Sequence, residues 1–550
     1  MEEKQTLPIG EEQVLMFWRI LQKYSSELGP TRRRIIQSEN WWKLRNTGQE
    51  QQVSAIGKDG GYASVSGWLH NVIVSKHADA MESYPEPVIL PREAADRPLA
   101  DMLSAVLPCV LEQNQFEQTY SDAQWQKCKT GTACYKVVWD PDKLNGLGDI
   151  RIEKVELLNL YWEPGVTDIQ KSRYLFHTEL QDRDLLEEQY PQLKGKMRRN
   201  FVDSRFLYDD RVDTENKDTV VEVYYHKGRV LHYCKFVGDM VLFATENDLE
   251  PVLDEFGNVL HEPMARTGLY DHGRYPYVFD ALFPIEGSPC GYGYVDVCRS
   301  PQTEIDLMKT SFLKNAQVGA SPRFFSRLDG AVNEQEFLDL SKPIVHVAGN
   351  LGEDSLRQIP FRGLDGVYVN LLDRTIQELR ETSGNTETST GNISSGVTAA
   401  SAITALQEAS GKGSRDASRS GYRTFGRIIW LCIELIRQFY DLPRSFRIMG
   451  RYGNEEFVSF DNKQLKPAAQ EAFGLNWGSR MPVFDIKVSA QKKSIYTRVS
   501  QNELALQLYQ LGFFDPLRAS QALQCLEMMD FEGKEQVLRL ISGNLGGAPC

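Results

Sequence analysis

The chain has 550 residues, 41% hydrophobic and 25% charged, enough apolar material for about three or four domain-sized units. Acidic residues outnumber basic ones 75 to 62, giving a formal net charge of −13. That balance argues against a protein that holds nucleic acid by neutralising its phosphates, because such domains are basic. The nine cysteines (Cys109, Cys128, Cys134, Cys234, Cys290, Cys298, Cys432, Cys525 and Cys550) show no C-x-x-C spacing and no zinc-like Cys/His cluster. They read as reduced, buried thiols of an intracellular product. The start, "MEEKQTLPIGEEQ", lacks the basic and apolar regions of a secretory signal. The most apolar run, Ile428–Ile436, has nine residues, against about 20 needed to span a bilayer. No membrane partner is expected.

In chain order, Glu11–Leu28 reads as an amphipathic helix ended by Gly29-Pro30. The basic, aromatic stretch Arg32–Gly48 reads as helical, Asp59–Ser66 as a Gly/Ser loop, and Trp68–Met81 as helix or strand. "ESYPEPVILP" is expected to be extended, because a residue before proline avoids the helical region. Leu99–Lys129 reads as two helices, followed by a hairpin with a long Asp/Asn/Gly turn, "TACYKVVWDPDKLNGLGDIRIEKV". Between this and a second hairpin, Val220–Phe243 with its turn at Lys227-Gly228, lies a short helix broken at Pro191. Tyr275–Pro284 is another strand, so the first half is α+β with antiparallel sheets.

The second half changes style. Pro301–Val318 reads as a helix with proline at its first position. A small insert follows, with strands at Arg323–Ser326 and Ile344–Ala348 around a short helix at Asn333–Leu340. Leu364–Thr382 is helical, Phe446–Val488 is β-rich, and Val499–Leu511, Pro516–Met529 and Gly533–Ile541 are helices.

The search for catalytic chemistry is negative. "ASGKGS" lacks the upstream glycine of a phosphate loop, and "HEPMA" at His261 fails as a zinc-protease motif at the second His. No G-x-S-x-G elbow occurs. "DPDKLNGLGD" fails as a calcium loop, with Leu144 and Asn145 where a ligand and glycine are needed. No catalytic residue, metal or cofactor is expected. The acidic runs "RDLLEE" and "DDRVDTE" read as solvated faces.

Gly391–Tyr440 carries four characters in one stretch. Thr386–Ser395, "TETSTGNISS", is too polar to pack and reads as a mobile loop open to a ligand. From Val397, Ala and Leu restore helix propensity; a single helix to Tyr440 would be roughly 65 Å long. Gly411, Gly413, Gly421 and Gly426 point to a bend. Arg415, Arg419, Arg423 and Arg427 recur every fourth residue and line one face. The row is a solvated surface, a contact with acidic residues of a partner, or a DNA contact that the acidic chain disfavours. In "IIWLCIELI" eight of nine side chains are apolar, worth on the order of 12 to 24 kcal/mol when buried, as an upper bound. The run must be covered on every side, inside the subunit core or partly by a neighbour.

The order of these elements resembles the tailed-bacteriophage portal proteins over about Trp41–Ile541. "GYGYVDVCRSPQTEIDLMKTSFLKNAQVGASPRFF" (Gly291–Phe325) is similar to the family's segment leading into a first stem helix, and "RGLDGVYVNLLDRTIQELRETSGN" (Arg362–Asn385) to its second. "SSGVTAASAITALQEASGKGSRDASRSGYRTF" (Ser394–Phe425) resembles the loop and long helix, and "NLYWEPGVTDIQKSRYLFH" (Asn159–His177) the strand-turn segment of the wing.

The resemblance implies an α+β portal fold with wing, two-helix stem, small α/β clip, long kinked helix and helical C-terminal crown. On this sequence it implies a wing at 1–300, stem helices at 301–318 and 364–382, and a clip at 319–363. A tunnel loop falls at 383–395, the long helix at 396–443, a β return to the wing at 444–498, and crown and tail at 499–550. It implies a homo-oligomeric ring, usually of twelve subunits, at one capsid vertex of the virion, assembled in the bacterial cytoplasm. Its partners would be the terminase large subunit, the head-tail adaptor, the major capsid and scaffold proteins, and double-stranded DNA passing through. An acidic lining would repel phosphates and keep friction low. Ser389, Thr390, Asn392 and Ser394 are the loop candidates for touching DNA. Lys309 and Lys314 are candidates for brushing its backbone, with solvated outward lysines as the alternative. Arg323, Phe324, Phe325 and Arg327 are the clip candidates for motor or adaptor docking, the two phenylalanines alternatively being clip core. Arg415, Arg419, Arg423 and Arg427 are the subunit-contact candidates. Arg32–Arg34 with Trp41 and Trp42 are candidates for capsid or scaffold contact, or an ordinary surface helix. The competing readings are a packaging ATPase or nuclease, and another structural protein of the virion head.

Overall fold

The computed structural model describes residues 9–44, 65–195, 216–253, 259–320, 324–326, 333, 335–336, 346, 356–358, 363, 365–385, 412–449, 455–472, 475–490, 506–513, 515, 519–527, 537–538 and 541. The chain divides into two compact units, Met1–Ala78 with Pro87–Val488, and Asp79–Glu86 with Ser489–Cys550. The fold mixes helices with antiparallel sheets.

Helix α1 (Glu11–Glu27) ends where Gly29-Pro30 predicts, but the same pair opens α2 (Gly29–Trp42). Proline in a first helical turn forfeits no hydrogen bond, so it both stops one helix and starts the next. Trp68–Met81 resolves as a helix, α3 (Trp68–Glu82), and the proline-rich stretch as strand β1 (Pro85–Pro91). The paired helices are α4 (Arg97–Gln113) and α5 (Phe116–Thr130).

Strands β2 (Thr132–Asp140) and β3 (Asp149–Val155) form the expected hairpin, with Trp139 opposite Ile150. Beyond β2 lies β9 (Tyr277–Ala281), paired from Tyr277↔Lys136 to Ala281↔Thr132. The other sheet is a five-stranded antiparallel meander of β4 (Leu160–Trp162), β5 (Tyr174–Asp182), β6 (Lys217–Lys227), β7 (Val230–Val237) and β8 (Met240–Ala244). The second hairpin is therefore three strands, because Gly238-Asp239 makes a further turn. Short helix α6 (Arg183–Gln189) stops before Pro191. Helix α1 closes over the meander through Phe17, Trp18 and Leu21, and the Trp18 indole donates to Gly238 O at 2.6 Å.

Lys136 of β2 and Glu222 and His177 of the meander form a polar node. The Lys136 ammonium donates to Glu222 Oε2 at 2.7 Å, His177 Nδ1 lies 3.1 Å from the same oxygen, and the Tyr233 hydroxyl donates to Oε1 at 3.1 Å. Burial alone would raise the Glu222 carboxyl; Lys136 and His177 overcome it and hold it well below the usual carboxylate range. A depressed folded-state pKa contributes stability that is complete above the unfolded value of 4.5 and is lost as pH falls below it. Glu222→Gln is expected to cost about 3 kcal/mol at neutral pH. The gap from wild type should narrow below pH 4.5, read as denaturation midpoints across an acid titration.

The long helix α9 (Lys412–Phe439) runs through Gly413, Gly421 and Gly426 without a break. Phe425, Ile428, Ile429, Leu431, Cys432, Ile433, Leu435 and Ile436 are buried within the chain itself, which answers whether a neighbour is needed to cover them. The helix ends against the β2–β3 turn. Phe439 stacks on Trp139 at 4.7 Å, the Tyr440 hydroxyl donates to Asp149 Oδ1 at 2.7 Å, and Arg444 donates to Gly148 O at 2.7 Å. Gly148 has φ +72°, and a Cβ there would lie 2.4 Å from Trp139. No side chain fits.

Hairpins β14 (Arg444–Met449) with β15 (Glu455–Phe460) and β16 (Ala468–Ala472) with β17 (Leu475–Arg480) form the β-rich return. The second unit has its own small core of Leu508, Ala522, Leu526 and Ile541, in which α10 (Ala519–Glu527) lies. The cysteine expectation needs one correction. Among the described residues seven cysteines are buried or half-buried, but Cys525 of α10 is exposed, next to the buried Leu526. Burial pushes Cys290 and Cys298 up to about 11, leaving them protonated and unreactive.

Candidate functional site

Two helices stand out, α7 (Tyr294–Ala320) and α8 (Gly366–Ser383), which pack on each other. The sequence places the start of α7 at Pro301, yet it begins seven residues earlier, with Pro301 inside it. An internal proline costs about 3 kcal/mol of helix stability. Here packing overrides that cost. Tyr294, Val295, Cys298 and Ile305 join Leu69, Val72 and Ile73 of α3 and Leu379 of α8 in one core.

Two α7 side chains also cap α3. Fully buried Asp306 accepts from Ser66 N at 2.8 Å and Ser66 Oγ at 2.6 Å; Gln302 accepts from Leu69 N at 3.0 Å and donates to Ser66 O at 2.8 Å. A carboxylate at a helix N-terminus meets the positive end of its dipole. Burial then fades along both helices. Leu307 and Leu313 of α7 are about half exposed, as are Tyr368, Val369 and Leu371 of α8, and Val367 is 72% exposed. The pair is rooted at the start of α7 and the end of α8, and its remaining surface mixes polar residues with these six exposed large apolar side chains.

Lys309 sits beside a cavity of about 370 Å³ shared with Leu44, Ser66, Trp68, His70 and Asn71. Lys314 is half-exposed. Phe324 and Phe325 lie on β12 (Phe324–Ser326), which pairs antiparallel with β13 (Leu356–Gln358), a strand not foreseen. Arg323 and Arg327 fall outside the described residues, as do Ser389, Thr390, Asn392 and Ser394 and most of the expected Asn333–Leu340 helix and Ile344–Ala348 strand.

The residues on either side of 386–411 are tied to one place. The Lys76 ammonium donates to Ser414 Oγ at 3.1 Å and to Gly384 O at 3.4 Å, and lies 6.0 Å from the Tyr294 ring. Ser75 Oγ donates to Asn385 Oδ1 at 2.8 Å. One turn of α3 thus joins the start of α7, the end of α8 and the start of α9. A second tie is the buried pair of Lys127 and Asp280 at 2.8 Å, from which Lys127 also reaches Ala417 O at 3.4 Å. Sequence reading missed both ties. Lys76 and Ser414 are 338 residues apart, Lys127 and Asp280 153, and no local pattern marks them.

Arg415, Arg419, Arg423 and Arg427 share one exposed face of α9, and the opposite face is buried. The structure brings these four together as the spacing predicts. Arg32, Arg34, Trp41 and Trp42 are spent inside the subunit. Arg34 donates to Gly291 O at 2.7 Å, Arg32 to Ser25 Oγ at 3.0 Å, and both tryptophans pack on the α3–α7 core. Only Arg33 of this group is exposed. Among the described residues no group of His, Cys, Asp and Glu is placed to hold a metal, and no helix is long and apolar enough to cross a membrane.

An α+β body carrying a helix pair with large apolar side chains left uncovered defines an assembly protein, shaped to meet other chains. The family model described as Phage P22-like portal protein matches residues 78–546, and the chain belongs to that family. It is a structural subunit of the phage head, forming the portal channel at one capsid vertex through which DNA is packaged and ejected. A search of curated proteins returned no match.

Proposed function

We propose that twelve copies of this chain close around a hollow axis, with residues 301–318 (within α7) and 364–382 (largely α8) as stem, residues 319–363 as clip and 383–395 as tunnel loop. The remaining parts follow the same mapping: wing at 1–300, long helix at 396–443, β return at 444–498 and crown and tail at 499–550. An ATP-driven terminase docks on the clip, at Arg323, Phe324, Phe325 and Arg327, and pushes duplex through; the head-tail adaptor takes the same place later. Ser389, Thr390, Asn392 and Ser394 meet the duplex through neutral hydrogen bonds, with Lys309 and Lys314 as passing cation contacts. The net charge of −13 supports a wall that repels phosphates.

The observation that carries the ring is the set of large apolar side chains left exposed on α7 and α8. Six large apolar side chains (Leu307, Leu313, Val367, Tyr368, Val369 and Leu371) stand in solvent on two adjacent helices of one chain. A neighbouring copy removes that exposure. Val367→Asp/Leu371→Asp is expected to abolish rings in negative-stain images while changing the stability of the isolated subunit by only about 0.5 kcal/mol or less, as for other exposed sites. A wild-type protein that stays monomeric at every concentration would overturn the reading.

A further inference from the structure

We propose that the arginine face of α9 is an electrostatic seam between subunits, in which Arg415, Arg419, Arg423 and Arg427 seat against carboxylates of a second copy. The proposal rests on the ring reading and adds where and how neighbouring copies lock.

The row is rigidly mounted. Arg415 to Arg427 spans about 18 Å of continuous helix. Behind it Gly421 is buried beside the Lys127–Asp280 pair: a Cβ there would lie 3.8 Å from Lys127 Nζ and 3.9 Å from Asp280 Oδ2. Ser420 Oγ donates to Ala281 O at 3.2 Å, and Phe425, Ile428 and Ile429 are buried. The helix therefore cannot rotate to change which side faces outward. All four arginines are exposed, and Arg419, Arg423 and Arg427 hold no partner among the described residues.

Left open, the Arg419–Arg423–Arg427 part of the row is unfavourable. Like charges four residues apart destabilise a helix by about 0.2 to 0.5 kcal/mol per pair. An anionic surface laid against the row removes that repulsion, and the planar guanidinium suits carboxylate and phosphate alike. Charge decides between them. Duplex held by four guanidiniums per subunit, repeated around a ring, would be gripped through many phosphates at once. A conduit needs the opposite. A second copy, by contrast, brings a net charge of −13, with exposed carboxylates such as Asp373, Glu378 and Glu381 on α8. It is also the one acidic partner guaranteed to be adjacent in a closed ring.

The test uses the full chain. Ring content of wild type and Arg419→Glu/Arg423→Glu is measured by mass photometry at matched concentration over a salt series. The expected result is a ring population at least about tenfold lower in the variant at near-physiological salt, corresponding to about 1.4 kcal/mol, with unchanged circular dichroism and melting temperature. Wild-type rings should loosen as salt rises. In a second arm, Arg423→Lys rings are treated with a zero-length carbodiimide. Cross-links from the introduced amine to a carboxylate of another copy support the seam and identify its other side. Variant rings as abundant as wild type, with no such cross-links, overturn it. So do intact variant rings that retain duplex less well, which would assign the row to phosphates. If wild type itself forms no ring, the ring reading falls, and the seam with it.

Discussion

Asp280→Ala is expected to lower the unfolding free energy of the subunit by about 3 to 5 kcal/mol, among the largest effects of any single substitution here. Asp280 and Lys127 are 1% and 2% exposed at the side chain, and each ammonium-to-carboxylate contact is 2.9 Å or shorter. Removing the carboxylate leaves an ammonium buried with only the Ala417 carbonyl as a described partner. An uncompensated buried charge is far more costly than the intact pair is favourable. It follows that Lys127→Met/Asp280→Leu should recover most of the loss, because matched apolar side chains need no solvation. Denaturant midpoints of the four species form the cycle that measures this. A local consequence follows as well: Asp280→Ala should speed amide exchange in the first turns of α9, where Lys127 meets Ala417, before it does so at Ile428–Ile436. A uniform rise along α9 would show that the pair anchors nothing in particular.

Local elements were legible in the sequence because local chemistry sets them. The β6–β7 turn falls at Gly228-Arg229, one residue later than expected because Lys227 still pairs with Val230, and Gly228 supplies its φ of +68°. "IIWLCIELI" is buried because no arrangement of eight apolar side chains on one helix leaves water a favourable face. The four arginines share a face because helical geometry demands it. The family was legible through the order of several weak segments, and the family match covers most of the stretch over which they occur. What stayed hidden is long-range. Pro301 reads as a helix start, and only the packing of Val295 and Cys298 on α3 explains why the helix begins before it. Arg34 and Trp42 look like a surface patch until Gly291 and the α3–α7 core claim them. Lys76 is one of many lysines in the sequence; in the fold it joins the segments either side of 386–411. The body of the protein is thus written in local patterns. The ties that orient its helices are written in single polar residues whose partners lie hundreds of positions away.

Gly131→Ala should be nearly as damaging, by a different route. Gly131 ends α5 with φ +85°; its N–H donates to Lys127 O at 2.9 Å and its carbonyl accepts from Leu282 N at 2.8 Å. A methyl group there would lie 2.1 Å from the Tyr292 carbonyl carbon, a contact no rotamer change relieves, because both partners are backbone. The left-handed conformation costs a non-glycine residue about 1 to 2 kcal/mol, and forcing apart packed backbone a further 1 to 3 kcal/mol. Gly287→Ala separates the two contributions: it has φ +75° but nothing within 4 Å of its Cβ. It should therefore lose only the about 1 to 2 kcal/mol of conformational cost. The difference between the two variants isolates the price of moving Tyr292. Because Tyr292 lies two residues before α7 begins, that displacement should reach the stem as well as the core. Gly131→Ala subunits should therefore form fewer rings than Gly287→Ala subunits even at a temperature where both are fully folded. Equal ring yields would mean that the start of α7 is positioned by its own core contacts and not by this backbone crossing.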